Sequence, residues 1–81
     1  MKVQNPLPKY SKQAEKYLGK VNKDIALRLI TAINKLPEGD VKKMRGFKNL
    51  YRLRIGDFRI KFTRENGQTT VEEIGPRGGI Y

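Results

Sequence analysis

The chain has 81 residues, with 18 Lys and Arg against 8 Asp and Glu, no His and no Cys, so it carries +10 at neutral pH. That length predicts one domain spanning 1–81, and the missing Cys and His exclude disulfides, thiolate metal sites, cysteine nucleophiles and the commonest metal ligand. With no apolar run of signal-peptide or membrane-spanning length, the reading expects a soluble, cytoplasmic protein that uses no metal or cofactor and whose charge suits a polyanion such as nucleic acid.

Pro6 and Pro8 restrict the opening, so at most a short strand precedes the first helix. Tyr10, Ala14, Tyr17, Leu18 and Val21 then fall on one helical stripe, which predicts a helix over 9–18 that Gly19 ends. Asn22 is placed to N-cap a second helix over 22–36, with Asp24 in its first turn and Ile25, Ala26, Leu29, Ile30, Ile33 and Leu36 along one side. Pro37 and Gly39 stop it. Residues 40–49 read as a basic connector in which Lys42, Lys43, Arg45 and Lys48 are candidates for phosphate contact. The plainer reading is a solvated loop with Met44 and Phe47 tucked under the core.

Two short strands follow, 51–55 and 58–62, around a two-residue turn at Gly56-Asp57. Side chains alternate between faces along a strand, so Tyr51, Leu53 and Ile55 share one side while Arg52 and Arg54 share the other. The turn length sets Arg54 opposite Arg59 and Arg52 opposite Lys61. Like charges directly opposite on a sheet cost up to about 1 kcal/mol per pair, so folding alone does not favour this rectangle of cations. An anionic ligand would relieve it.

Asn66-Gly67 marks a second tight turn leading to a third strand over 69–74, completing an antiparallel meander. Its adjacent Glu72 and Glu73 break the alternation. A regular strand puts Glu72 beside Lys61, whereas a bulge exchanges the faces. Either carboxylate would serve to neutralise Lys61 or, more pointedly, as a general base. The closing residues, 75–81, hold three glycines and a proline around Arg77 and end on Tyr81, a composition suited to carrying those two side chains back beside the cations. The expected fold class is therefore α+β: an N-terminal helical hairpin packed on one face of a small antiparallel sheet, with the other face open and basic. The expected core is Leu18, Ile25, Leu29, Ile30, Ile33, Leu53, Ile55, Phe58 and Ile60.

Residues 50–60, Leu-Tyr-Arg-Leu-Arg-Ile-Gly-Asp-Phe-Arg-Ile, followed a strand later by 74–81, Ile-Gly-Pro-Arg-Gly-Gly-Ile-Tyr, resemble the RelE/ParE superfamily of bacterial toxins from type II toxin-antitoxin modules. The Leu36-Pro37 helix ending and the approach at 46–50 fit the same resemblance, which covers essentially the whole chain. It implies a RelE-like toxin that enters the ribosomal decoding site and cuts messenger RNA there without a metal. It implies as partners a cognate antitoxin, the ribosome and mRNA, with operator DNA reached only through the toxin-antitoxin complex and no membrane.

By the same resemblance Arg52, Arg54 and Arg59 form the sheet part of a catalytic site, and Arg77 and Tyr81 come from the tail. Lys42, Lys43, Arg45, Lys48 and Lys61 are the nucleic-acid-binding candidates. The chain departs from the pattern in carrying Arg52 and Arg54 where relatives commonly offer lysine, and Gly79 where an acidic or polar residue is frequent. Arginine is a poor base. Proton removal then falls to Lys61, Tyr81, Glu72 or Glu73, or water. A non-enzymatic inhibitor of DNA gyrase of the ParE kind and an RNA-binding module without turnover are the alternative readings.

Overall fold

The computed structural model describes residues 7–76. In chain order the elements are β1 (Lys9–Tyr10), α1 (Lys12–Lys20), α2 (Lys23–Asn34), β2 (Asp40–Lys43), β3 (Leu50–Ile55), β4 (Phe58–Glu65) and β5 (Gln68–Pro76). The strands form one five-stranded sheet in the order β1-β5-β4-β3-β2. β1 runs parallel to β5, and the other pairs are antiparallel. The expected fold class, a small antiparallel meander of RelE-like type, is thereby corrected to a five-stranded mixed sheet with two helices. The two strands that the sequence concealed lie at its edges.

Both concealed strands have a physical reason for being missed. The sequence allows a short strand before the first helix, but β1 has only two residues, too few for any period to register, and the stripe through Tyr10 assigns residues 9 and 10 to the helix. In β2 only Val41 is apolar, and it pairs with the buried Leu53. An edge strand needs just that one apolar anchor, and its charged residues guard the exposed edge.

The helices begin where capping chemistry dictates. Asn22 accepts from the Ile25 backbone N–H at 2.9 Å, and Asp24 sits in the first turn of α2, as expected. Ser11 caps α1 in the same manner, accepting from the Ala14 N–H at 3.1 Å, so this helix starts at Lys12 rather than residue 9. It also continues through Gly19 to Lys20, because the Val21 N–H closes the last turn on the Tyr17 carbonyl.

The hairpins follow their turn residues. Asn66 and Gly67 have φ of 53° and 79°, positive at both central positions, as a type I′ turn requires. At Gly56-Asp57 only the glycine has positive φ, the II′ pattern. The register of β3 on β4 is the one that parity predicts, with Arg54 facing Arg59, Leu53 facing Ile60 and Arg52 facing Lys61.

The pairing of β4 with β5 contains a bulge. Lys61 pairs with Glu73 and Phe62 with Val71, leaving Glu72 as the extra residue. This lets Val71 and Ile74, three positions apart, both point into the core. The outer edge of β5 is then closed by α1. The Ser11 hydroxyl donates to the Glu72 carbonyl at 2.7 Å, and the Gln13 side-chain amide donates to the Ile74 carbonyl and accepts from the Ile74 N–H, both at 3.0 Å. A side-chain amide here substitutes for a neighbouring strand.

The core lies between the helices and one face of the sheet. It contains Ala14, Leu29, Ile33, Leu36, Leu53, Ile60, Phe62, Val71 and Ile74. Of the expected set, Leu18, Ile25, Ile55 and Phe58 are partly buried against this cluster and Ile30 is half-buried. Phe62 stacks on its cross-strand partner Tyr51 with centroids 5.5 Å apart.

Leu53 is 2% exposed, so Leu53→Asp should abolish cooperative unfolding by burying an unpaired charge, whereas Arg54→Asp on the opposite face should leave a folded chain. Circular dichroism with urea titration distinguishes them, and the reverse outcome would invert the face assignment. Gln13→Ala should lower stability by roughly 1–3 kcal/mol, since it strips partners from both backbone groups of Ile74.

Candidate nucleic-acid interface

The face of the sheet away from the helices is built in two cross-strand rows. One runs Lys42, Arg52, Lys61, Glu73 across β2, β3, β4 and β5; the next runs Asp40, Arg54, Arg59, Gly75. Residues directly opposite in adjacent strands share a face, so β2 adds Lys42 to the four cations expected from the hairpin. The rows are two residues apart along each strand, about 6.6 Å at the usual strand rise.

Carboxylates close opposite corners of this arrangement. Asp40 Oδ2 lies 3.7 Å from Arg54 Nε, and Glu73 Oε1 lies 3.4 Å from Lys61 Nζ. The paired side chains are between 33% and 67% exposed, and surface pairs of this kind contribute about 0–1 kcal/mol. The Arg54 contact is an ion pair without a hydrogen bond, and the Nε atoms of Arg52 and Arg54 are inaccessible with no hydrogen-bond acceptor. Arg52 has a cation on each side in its row, Lys42 and Lys61. The centre of the face is thus held together by the backbone ladder and the apolar face beneath it, against the repulsion of its own side chains.

The bulge settles the position of the adjacent glutamates. Because Val71 and Ile74 both face the core, Glu72 and Glu73 both face the cations. Glu73 pairs with Lys61, and Glu72 accepts from the Thr63 hydroxyl at 3.3 Å. The register expected for a regular strand, with Glu72 beside Lys61, is replaced by the bulged one.

The connector candidates separate. Lys42 joins the cationic face, whereas Lys43 pairs with Tyr51 and therefore belongs to the other side of the sheet. Arg45 and Lys48 are exposed in the segment between β2 and β3, and Met44 is tied into place by its N–H to the Leu50 carbonyl. Phe47, expected under the core, is 57% exposed. Arg77 and Tyr81 lie outside the described residues. Among the described residues no group of three or more His, Cys, Asp or Glu side chains is gathered to hold a metal ion, and no helix is long and apolar enough to cross a membrane.

One feature of the helix side had no clear signal in the sequence. Leu27 on α2 is 58% exposed, and beside it runs a groove of about 410 Å³ lined by Leu27, Arg28, Thr31, Ala32, Lys35 and Ile55 together with Asp24. Leu27 lies off the apolar stripe that the period of α2 defines, so only the packed structure shows it beside Ala32 and Ile55.

No family model matches the sequence, and no curated protein matches it. Solved structures do resemble the fold. A chain of the archaeal RelE-RelB complex from Pyrococcus horikoshii OT3 superposes with a TM-score of 0.76 at 24% identity, over 95% of this chain and 100% of that one. A chain of the RelB-RelE antitoxin-toxin complex from Methanococcus jannaschii gives 0.72 at 23%, over 86% and 91%. A conserved hypothetical protein of Helicobacter pylori gives 0.62 at 13%, over 91% and 97%. At such identities the fold is what is shared. The two complexes each contain a toxin and an antitoxin, and the likeness by itself assigns neither role.

If the cations are present for a ligand, removing one should not harm the fold. Arg52→Thr takes a cation from between two others and supplies a strong strand former, and it should leave stability unchanged or raise it by up to about 1 kcal/mol. A loss well beyond 1 kcal/mol in urea unfolding would make Arg52 a structural residue.

Proposed function

We propose that this protein is the toxin of a toxin-antitoxin pair and acts as a ribosome-dependent endoribonuclease on messenger RNA. The observation that supports this most directly is the double row of cations, Arg52 with Lys61 and Arg54 with Arg59, extended by Lys42 on one open face of a sheet. A surface that costs folding energy through like-charge repulsion has its counterpart in a polyanion. The likeness to chains of RelE-RelB complexes supports the toxin-antitoxin setting and a cognate protein partner.

The chemistry follows from what RNA itself supplies. The 2′-hydroxyl of the nucleotide before the cut attacks the adjacent phosphorus, charge builds on the equatorial phosphate oxygens, and the 5′-oxygen departs. Arginine forks suit the middle task, since two parallel N–H donors match two phosphate oxygens. Arg54 and Arg59, opposite each other across β3 and β4, are assigned to the scissile phosphate; Arg52, Lys61 and Lys42 hold the neighbouring backbone. By the same reading Arg77 and Tyr81 complete the site. The ribosome supplies the substrate in a fixed pose, and positioning of that kind accounts for several kcal/mol of barrier reduction.

The cognate antitoxin, being a competitor for a basic surface, is expected to be acidic or amphipathic. Its association should slow with added salt, because exposed charges are screened within about 8 Å at physiological ionic strength.

Arg59→Ala should lower cleavage of mRNA on programmed ribosomes by about 100-fold or more, with unchanged thermal unfolding, and Arg59→Lys should restore only part of it. The products should carry 2′,3′-cyclic phosphate and 5′-hydroxyl ends. Detection of 5′-phosphate ends, or arrest of DNA supercoiling before translation on induction, would overturn the nuclease reading.

A further inference from the structure

Glycine is a costly residue inside a strand, where it packs nothing and gives up the most conformational freedom. Gly75 nevertheless occupies β5 directly opposite Arg59. Its φ is not positive, and a Cβ built there meets no heavy atom within 4 Å among the described residues. Among the described residues, neither backbone conformation nor steric closeness calls for glycine at this position. Its effect is to leave a gap in the row Asp40, Arg54, Arg59, at the end where a fourth side chain would stand.

Glu73 stands two residues back on the same face of β5, since Ile74 between them is buried. It is therefore the diagonal neighbour of Arg59 and the direct neighbour of Lys61, within the reach of long side chains on adjacent strands. The gap over Gly75 is bounded by Arg59 on one side and by the Glu73–Lys61 pair, 3.4 Å apart, on the next row. Among the described residues, a carboxylate, an ammonium and an arginine side chain border the position over Gly75.

We propose that this bay over Gly75 seats the scissile phosphodiester of single-stranded RNA, with Arg59 on the phosphate and the Glu73 carboxylate accepting the proton of the attacking 2′-hydroxyl. This rests on the nuclease reading above and supplies the base that arginine cannot be. The 2′ O–H bond breaks as its proton passes to Glu73, the O2′–P bond forms, and the P–O5′ bond breaks with the 5′-oxygen taking a proton from solvent water. Glu73 returns its proton to solvent, so nothing is consumed. Lys61, the carboxylate's partner at 3.4 Å, remains a cation for the developing charge.

The simplest competing account, in which Glu73 only neutralises Lys61, predicts the opposite sign. Removing a carboxylate from a cationic face would tighten RNA binding and leave cleavage as fast or faster. The test compares Glu73→Gln, Glu65→Gln and Gly75→Thr with the parent chain, using single-turnover mRNA cleavage on programmed ribosomes and binding of a short 2′-O-methyl RNA that cannot be cut. Glu73→Gln should bind at least as tightly as the parent yet cleave roughly 100-fold more slowly or worse, the range for a general base. Glu65→Gln removes the same charge from the exposed far end of β4 and should cleave at the parental rate. Gly75→Thr should melt at or above the parental temperature, because threonine suits a strand, but lose cleavage by filling the bay.

Parental cleavage by Glu73→Gln overturns the role of Glu73, and an equal loss in Glu65→Gln reduces the effect to one of general charge and overturns it too. Undiminished cleavage by Gly75→Thr overturns the bay. If the parent chain itself cuts no mRNA on ribosomes, the nuclease reading falls, and this proposal falls with it.

Discussion

The bulge where β5 meets β4 is the constraint on which most of the molecule depends. Side chains alternate along a regular strand, so Val71 and Ile74, three apart, could not both face inward, and Glu72 and Glu73 could not both face outward. One extra residue in the ladder reconciles all four. Val71 and Ile74 then join Phe62 and Ile60 in the core, and both carboxylates arrive on the cationic face. The displaced backbone of this segment is answered by Ser11 and Gln13 of the first helix region, so the bulge also determines where α1 docks.

From this joint the two faces of the sheet acquire different characters. The inward face is apolar from β2 to β5 and carries both helices. The outward face gathers cations from three strands, with Asp40 at the β2 side and Glu73 and Glu72 at the β5 side. Exposed ion pairs of this kind contribute little to stability. They bracket the cations of β3 and β4, which form a strip rather than a diffuse basic surface. Along a strand the cations of this strip recur about every 6.6 Å.

Stability and function pull this small domain in opposite directions. A sheet of this size tolerates opposed like charges and an inaccessible arginine Nε only because the hydrophobic cluster beneath is dense: Phe62, Leu29, Ile33, Leu53, Ile60, Ile74 and Val71 are all under 2% exposed or close to it. The same balance accounts for a glycine inside β5. Arg52, Arg54, Arg59 and Gly75 all cluster on the outward face.

What the residues alone determined was whatever depends on parity and on local turn or cap chemistry. The hairpin register around Gly56-Asp57, the I′ turn at Asn66-Gly67, the Asn22 cap and the grouping of Arg52, Arg54, Arg59 and Lys61 all follow from near neighbours in the chain, and the structure has each of them. The tertiary structure alone decided what depends on partners distant in sequence. β1 is a strand only because β5 lies beside it, and β2 only because Val41 meets Leu53; neither carries a period of its own. The expected antiparallel sheet became a mixed one for that reason. The faces of Glu72 and Glu73 were undetermined in the sequence because a regular strand and a bulged one are both consistent with the same six residues. The choice between them was made by burial of Val71 and Ile74 and by the hydrogen bonds that Ser11 and Gln13, 61 positions away along the chain, bring to the displaced backbone.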